Sequence, residues 1–559
     1  MKKKSCSGYL FILPIVILFL IFIVYPICYN FYISFYEWNG INIDKVFVGL
    51  ENYKNVLRDP IMQKIIRNFV VFALFTIIIQ AFFGLVFADF FIRKLKFASF
   101  YRIIFYIPVI ATPAIVGNIF SKIFETNRGY LNVFLRFLHL DGLCQQWLAD
   151  PKWALACIIF VNIWQWTGYS MLMYYANMLN IPQDLYEAAT IDGAGQIQQF
   201  AKITFPLLRG THYTLFIMGM LGSLKCFDLP YVLTRGGPNY ATEFFSTYIY
   251  KQSFNLFKQG PASAIVMVMF AIAMVITLIQ LKFYYRNDKD KELAADEKIS
   301  LFFKIAGQLI CILATALFLF PVLMLIRSFK GEGLHNYVRV FETVNLAPNF
   351  LTSITVVFGT LLIVSAVAAM AAFAFSKLDF PFKKAIYYML LTGMMIPTSA
   401  LIFPLFQIVK GLKINNTPFS LIFPYATLNC CFNLMVLKNY FDALPNELME
   451  SARIDGAGKG RIFISIMMPI AVPGLAFVLI QTFLSAWNEL QMAMIFINDT
   501  SLQPISVVPL RFTQTAGVQG FPLEVMYAAL VICLSPIAIF YVFGSRFLIA
   551  GLTQGAIKG

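Results

Sequence analysis

The chain alternates long apolar runs with short polar breaks. The first run, Tyr9–Cys28, has about the twenty residues a helix needs to cross a bilayer. Further runs centre on 68–92, 103–123, 153–176, 206–233 and 262–284. After a polar interval, six more centre on 302–327, 350–375, 385–409, 417–438, 468–490 and 526–548. The pattern predicts six spans, a break, and six spans again. The break is Arg286–Ser300, RNDKDKELAADEKIS, rich in charge and poor in apolar residues. Expected units are therefore 1–285, a linker at 286–300, and 301–559. The opening run is too long for a signal peptide and lacks a small-residue cleavage pattern, so it reads as an uncleaved span.

A polar interval inside each half carries a repeat. EAATIDGAGQIQQFAKITFP begins at Glu187 and ESARIDGAGKGRIFISIMMP at Glu450, 263 positions later. The two agree without a gap at ten of twenty positions, far above chance. Each follows a proline, Pro182 or Pro445, suited to the first turn of a helix, and an acid, Asp184 or Glu447, that favours its positive end. Gly193 and Gly456 can take positive φ, ending one helix and letting another leave at an angle. In the second arm Ile197, Phe200 and Ile203, and in the other copy Ile462, Phe463 and Ile466, form one apolar stripe. Such a helix–turn–helix suits docking into a groove on a soluble partner. A loop resting on headgroups has the same amphipathic pattern, but two matched copies at corresponding places favour docking.

Composition narrows the class. Of 559 residues, 59% are hydrophobic and only 13% charged, and mean hydropathy is +0.74, as in a polytopic membrane protein. The net charge of +15 sits mainly between spans, where topology and lipid headgroups account for it without nucleic acid. Basic residues crowd the short loops at Arg93, Lys94, Lys96 and Arg102, and at Lys377, Lys383 and Lys384. These loops place the N terminus, both repeats, the linker and the C terminus on the cytoplasmic side of a cell membrane. Each half has an even number of spans, so the halves share one orientation, related by an axis along the membrane normal. The nine cysteines show no CxxC or metal spacing, and His139, His212 and His335 form no cluster.

The repeat, E-A-A-x-x-x-G with I-x-F/M-P after it, resembles the cytoplasmic signature of permease subunits of binding-protein-dependent ABC importers. Its I-D-G-A-G form resembles the carbohydrate branch. The first half is similar to the maltose-type first permease and the second half to its partner subunit, joined in one chain. YISFYEWNG, GLENYKNVL, LTRGGP and the terminal GLTQGAIKG (551–559) are similar to sugar permeases at those places, and GLHNYVRVFE echoes GLENYKNVL. The resemblance implies an all-α membrane protein, with twelve transmembrane helices forming two six-helix type I importer bundles.

It also implies roles. Two copies of a separate ABC ATPase would dock at Glu187, Ala188, Ala189, Asp192, Gly193, Ala194 and Pro206, and at Glu450, Ala452, Asp455, Gly456, Ala457 and Pro469. An extracytoplasmic solute-binding protein would deliver cargo. Thr553, Gln554 and Gly555 would contact the ATPase pair, which would carry the ATP and Mg; this chain binds no cofactor. A midplane pocket for carbohydrate would come from Asn162, Trp164, Gln165, Trp166 and Tyr169 of the fourth span, with Ser223 and Asp228 of the fifth. Asn429, Asn433, Trp487 and Asn488 would line a path or gate. Aromatic faces suit sugar rings, and amides or carboxylates suit hydroxyls. The same tryptophans and polar residues also suit an interface belt and helix–helix contacts.

No G-x-x-x-x-G-K-[ST] occurs, so the chain cannot cradle ATP by that loop. The alternatives are a permease for a non-sugar solute or an ion-coupled secondary transporter. The latter would place carboxylates within spans. Asp228 and Glu489 are the candidates, and Lys225, three residues from Asp228, is placed to pair with it.

Overall fold

The computed structural model describes residues 7–92, 95–284, 301–514 and 522–556. The expected linker at 286–300 lies outside the described residues, as do Arg93 and Lys94. Among the described residues the only strands are Tyr36–Glu37 and Val46–Phe47, an antiparallel pair with Tyr36 opposite Phe47. Eight helices are long and apolar enough to cross a membrane, and three bent helix pairs raise the number of candidate spans to eleven. The run at 206–233 accounts for the difference from twelve. It becomes a 17-residue helix, Arg209–Lys225, and a separate short helix, Asp228–Leu233. Seventeen residues reach about 26 Å at 1.5 Å each, short of a core about 30 Å thick.

Two runs expected to be single spans are sharply bent. Ala98–Ile110 meets Pro113–Ile123 at 97°, and Lys383–Met395 meets Thr398–Gly411 at 98°. Proline is the cause in both. It withholds an N–H and drives the preceding residue out of the helical region. Thr112 before Pro113 has ψ 141°, and Ile396 before Pro397 has ψ 126°. A break inside a bilayer frees carbonyls that need new donors. The Gln165 amide donates to the Ala111 carbonyl at 3.1 Å, and the Lys225 ammonium to the Met394 carbonyl at 2.8 Å.

The halves repeat element by element. Pro60–Ile92 corresponds to Leu346–Lys377, and Ala154–Met178 to Phe419–Ala443, of 25 residues each. Arg209–Lys225 corresponds to Val472–Asn488, both of 17 residues. In each half the two long helices pack on one another. Small residues permit the close approach: a side chain at Gly84 would meet the Met171 backbone nitrogen at 2.9 Å.

A second repeat of structure lies ahead of each long pair. Asn52, on the helix Glu51–Arg58, donates to the Ser34 and Tyr36 carbonyls at 2.9 Å. Tyr53 meets the Ser34 hydroxyl at 2.7 Å. In the second half Asn336 donates to the Ser328 and Lys330 carbonyls at 2.8 Å, and Tyr337 meets Ser328 at 2.8 Å. The N-Y pair shared by GLENYKNVL and GLHNYVRVFE is therefore a fastener.

The halves exchange their first helices. Ser7–Ile33 lies on the second half: Tyr9 donates to the Pro381 carbonyl at 2.9 Å, and Asn30 to the Ala400 carbonyl at 2.6 Å. Met324–Phe329 packs on Leu523–Ala556 of its own half, whereas the preceding Leu301–Leu323 lies on the first half. There Gln308 donates to the Tyr101 hydroxyl at 2.5 Å, and Phe318 stacks on Phe105 at 4.8 Å. One continuous apolar core therefore includes residues of both halves.

Candidate coupling elbows and central seam

Each repeat folds into an elbow. The first arm is Gln183–Ile191 in one copy and Glu447–Ile454 in the other. Gly193 has φ +76° and Gly456 φ +77°, the left-handed conformation the sequence predicted for both. The closing bonds also match. Gly193 N–H donates to Thr190 and Ala194 N–H to Ala189; Gly456 donates to Arg453 and Ala457 to Ala452, all between 2.8 and 3.1 Å. This pair of crossed bonds satisfies the last carbonyls of the arm.

The second arms are Gln196–Gln199 and Lys459–Ile462, each followed by a widened π-helical turn, Phe200–Thr204 or Phe463–Met467. Pro206 and Pro469 follow, and neither can donate the bond that would close the next ordinary turn.

Exposure sorts the predicted coupling residues. Glu187, Ala188, Asp192, Gly193 and Pro206 are exposed, and Ala189 and Ala194 half-buried. Glu450, Asp455, Gly456 and Pro469 are exposed, Ala457 is half-buried and Ala452 buried. The apolar stripe does not serve as a docking knob. Ile462 and Phe463 are buried, with Phe463 edge-on to Phe11 at 5.7 Å. Phe200 and Ile203 pack against their own bundle, and only Ile197 of that copy is exposed. The apolar side chains that stand out are Ile191 and Ile454, at matching positions and each 86% exposed. Sequence reading passed over them because they belong to the repeated I-D-G-A-G string rather than to a periodic stripe.

The elbows are braced differently. In the first, Gln199 donates to Thr190 at 2.9 Å and to the Ala194 carbonyl at 3.2 Å, and Tyr186 meets Thr204 at 2.7 Å. In the second, Lys377 reaches from the neighbouring long helix to the Leu444 carbonyl at 2.7 Å and the Asn446 amide oxygen at 2.9 Å.

The seven residues predicted for a pocket are dispersed. Asn162 accepts from Gln80 at 2.9 Å. Trp164 is buried and donates to the Leu317 carbonyl of the second half at 3.2 Å. Ser223 bonds back to Gly219 at 2.7 Å. The polar tips of these three are engaged within the fold. Gln165 uses its amide N–H on Ala111, and its buried oxygen has no hydrogen-bond partner. Trp166 is exposed and edge-on to Tyr169, whose hydroxyl points at the Met218 sulfur at 3.4 Å. Asp228 has no hydrogen-bond partner among the described residues.

Lys225 does not pair with Asp228; its ammonium crosses to the second half. Of the path residues, Asn433 donates to Thr482 at 2.9 Å and Asn429 bonds back to Tyr425 at 2.9 Å, while Trp487 is buried with its indole N–H unpaired. Thr553, Gln554 and Gly555 lie in the terminal helix Leu523–Ala556, and residues 557–559 are outside the described residues. No group of three or more His, Cys, Asp or Glu side chains able to hold a metal occurs among the described residues.

The helical bundle with two matched elbows agrees with the family comparison. The model of the binding-protein-dependent transport system inner membrane component matches residues 9–287 and 362–554. The chain belongs to that family. It carries the family's match twice, as a fused pair of permease units. Its relatives are each matched along nearly their whole length and account for about half of this chain. They include the probable ABC transporter permease protein YurN of Bacillus subtilis, 37% identical over 51% of this chain and 97% of its own. The sulfoquinovosyl glycerol transport system permease protein SmoG of Agrobacterium fabrum is 33% identical over 50% and 90%. The trehalose/maltose transport system permease protein MalF of Thermococcus litoralis is 33% identical over 50% and 94%.

Proposed function

We propose that this chain is the complete membrane channel of an ABC importer for a carbohydrate, with one permease unit at 1–285 and the other at 301–559. The observation that carries the reading is the pair of elbows. The two copies have the same left-handed glycine, the same crossed closing bonds, the same widened turn, and an isoleucine exposed to the same degree. A surface built twice to one pattern fits two copies of one partner. ABC ATPase subunits, which would hold the ATP and Mg, are the partners such elbows suit. Glu187 and Glu450 are exposed and placed for charge-assisted bonds to basic residues of the motors. ATP closes the motor dimer, the elbows are drawn together, and the paired bundles rock from inward-open to outward-open. The two termini, the linker and both elbows then lie in the cytoplasm. A solute-binding protein loads cargo from the other side. The carbohydrate assignment draws on the sugar-permease motifs of both halves and on relatives named for trehalose/maltose and sulfoquinovosyl glycerol transport.

The test is uptake of radiolabelled sugars by proteoliposomes holding this chain, an ABC ATPase and a solute-binding protein. Uptake that requires ATP and ignores an uncoupler is expected. Uptake that survives ATP depletion and stops with an uncoupler would establish an ion-coupled carrier instead.

A further inference from the structure

The two elbows share a backbone but not a charge. Their acids match: Asp184, Glu187 and Asp192 stand where Glu447, Glu450 and Asp455 stand, and all six are exposed. From Gln183 to Gln199 there is no basic residue. From Glu447 to Ile462, Arg453, Lys459 and Arg461 take the places of Thr190, Gln196 and Gln198.

The side chains at these places are also used differently. In the first elbow they knit the turn. Thr190 donates to the Tyr186 carbonyl at 2.8 Å and accepts from Gln199 at 2.9 Å, and the Gln198 amide oxygen accepts from the Gly195 N–H at 3.2 Å. In the second elbow Lys459 is engaged with the Ser7 hydroxyl of the first helix. Arg453 and Arg461 are exposed, and their guanidinium groups have no partner among the described residues. Arg453 adjoins Ile454, the isoleucine that projects from the first arm, and Arg461 lies on the second arm. Two free guanidinium groups therefore belong to one elbow and have no counterpart on the other.

The acids beside them decide what these cations suit. A bilayer surface of anionic headgroups would repel the three exposed carboxylates of the same elbow. A protein surface of mixed sign satisfies both charges, and the guanidinium fork matches a carboxylate two bonds at a time.

We propose that Arg453 and Arg461 pair with carboxylates at the rim of the ATPase groove, so that the second elbow holds its motor more tightly than the first. The inference rests on the importer reading above and adds an order to it. The matched shapes let one ATPase species fit both elbows. The unmatched charges make the sites unequal, and a motor occupies the second elbow before the first.

Binding is read by biolayer interferometry on the full-length chain in phosphatidylcholine nanodiscs, with the purified ABC ATPase that drives uptake in the test above. Gly193→Pro isolates the second elbow and Gly456→Pro the first. At low salt the second elbow is expected to bind about tenfold more tightly. At about 1 M salt, where charges act over only about 3 Å, most of that difference should vanish. Arg453→Gln with Arg461→Gln should cancel the advantage, whereas Arg453→Lys with Arg461→Lys should keep most of it. The chain without proline gives an independent reading: its binding should show two phases, and the glutamine pair should remove the tight one. Equal affinity of the two elbows, or glutamine variants within twofold of the parent, would overturn the proposal. So would a loss that appears only when phosphatidylglycerol is added to the nanodiscs, which assigns the arginines to lipid. In each of these outcomes the ATPase still binds, and the importer reading stands. An unmodified chain that binds no ATPase would remove that reading, and this proposal with it.

Discussion

Two kinds of residue do matched work in both halves, and they fail differently. Gly193 and Gly456 sit at φ +76° and +77° with open space where a side chain would go. Alanine there meets no neighbour, yet costs about 1–2 kcal/mol for the left-handed backbone. Proline cannot adopt the angle at all, and it removes the N–H that closes onto Thr190 or Arg453. Gly193→Pro with Gly456→Pro should abolish co-purification of the ATPase, while circular dichroism shows the spans of the solubilised chain still folded. Asn52 and Asn336 predict the reverse. Each is buried and satisfies two carbonyls. Alanine strands those carbonyls at a cost of about 1–3 kcal/mol per site. Thermal unfolding of the Asn52→Ala and Asn336→Ala chains should shift down, with ATPase retention unchanged.

At the scale of elements, the elbow divides its apolar residues between support and contact. Phe463 and Ile462 belong to the core, whereas Ile191 and Ile454 project from the first arms. Ile191→Glu and Ile454→Glu leave the fold's contacts alone, so pull-down of the ATPase should drop about tenfold or more with no change in melting. Lys377→Met should loosen the second elbow alone. Hydrogen exchange across Glu447–Ile454 should quicken, while Gln183–Ile191, braced by Gln199, exchanges as before.

The elbows were legible in the sequence because a left-handed glycine and a proline leave fixed marks in the same frame twice. The bends near 97° and 98° were not read, although Pro113 and Pro397 announce them. An apolar run scored by length hides a corner whose stray carbonyls are met by Gln165 and Lys225 from far along the chain. For the same reason Lys225 was assigned to Asp228, three residues away on its own helix, when its partner lies 169 positions on. The pocket was expected on one half because the family resemblance pointed there. The residues it named are instead dispersed, with Asn162, Trp164 and Ser223 engaged within the fold, and no local pattern shows that.

At the scale of the whole molecule, the decisive feature is that each half lends its first helix to the other. Ser7–Ile33 is fastened to the second half through Tyr9, Asn30 and Phe11, and Leu301–Leu323 to the first through Gln308, Leu317 and Phe318. Two units that merely touched would be held by surface contacts, and the chain between them would matter for keeping them together. Units that exchange helices share a core, and the covalent link adds effective concentration during assembly more than cohesion afterwards. A protease site placed between residues 286 and 300 tests this. After cleavage of the purified chain the two fragments should elute as one species, and ATP-driven uptake with the partner subunits should persist. Removal of Ser7–Ile33 before the same cleavage should let the fragments separate, because the Pro381 and Ala400 carbonyls lose these donors and Phe373 its contact with Phe11 at once. If the cleaved but otherwise complete chain falls apart, the exchanged helices do not hold the halves, and the tether itself is what keeps them paired.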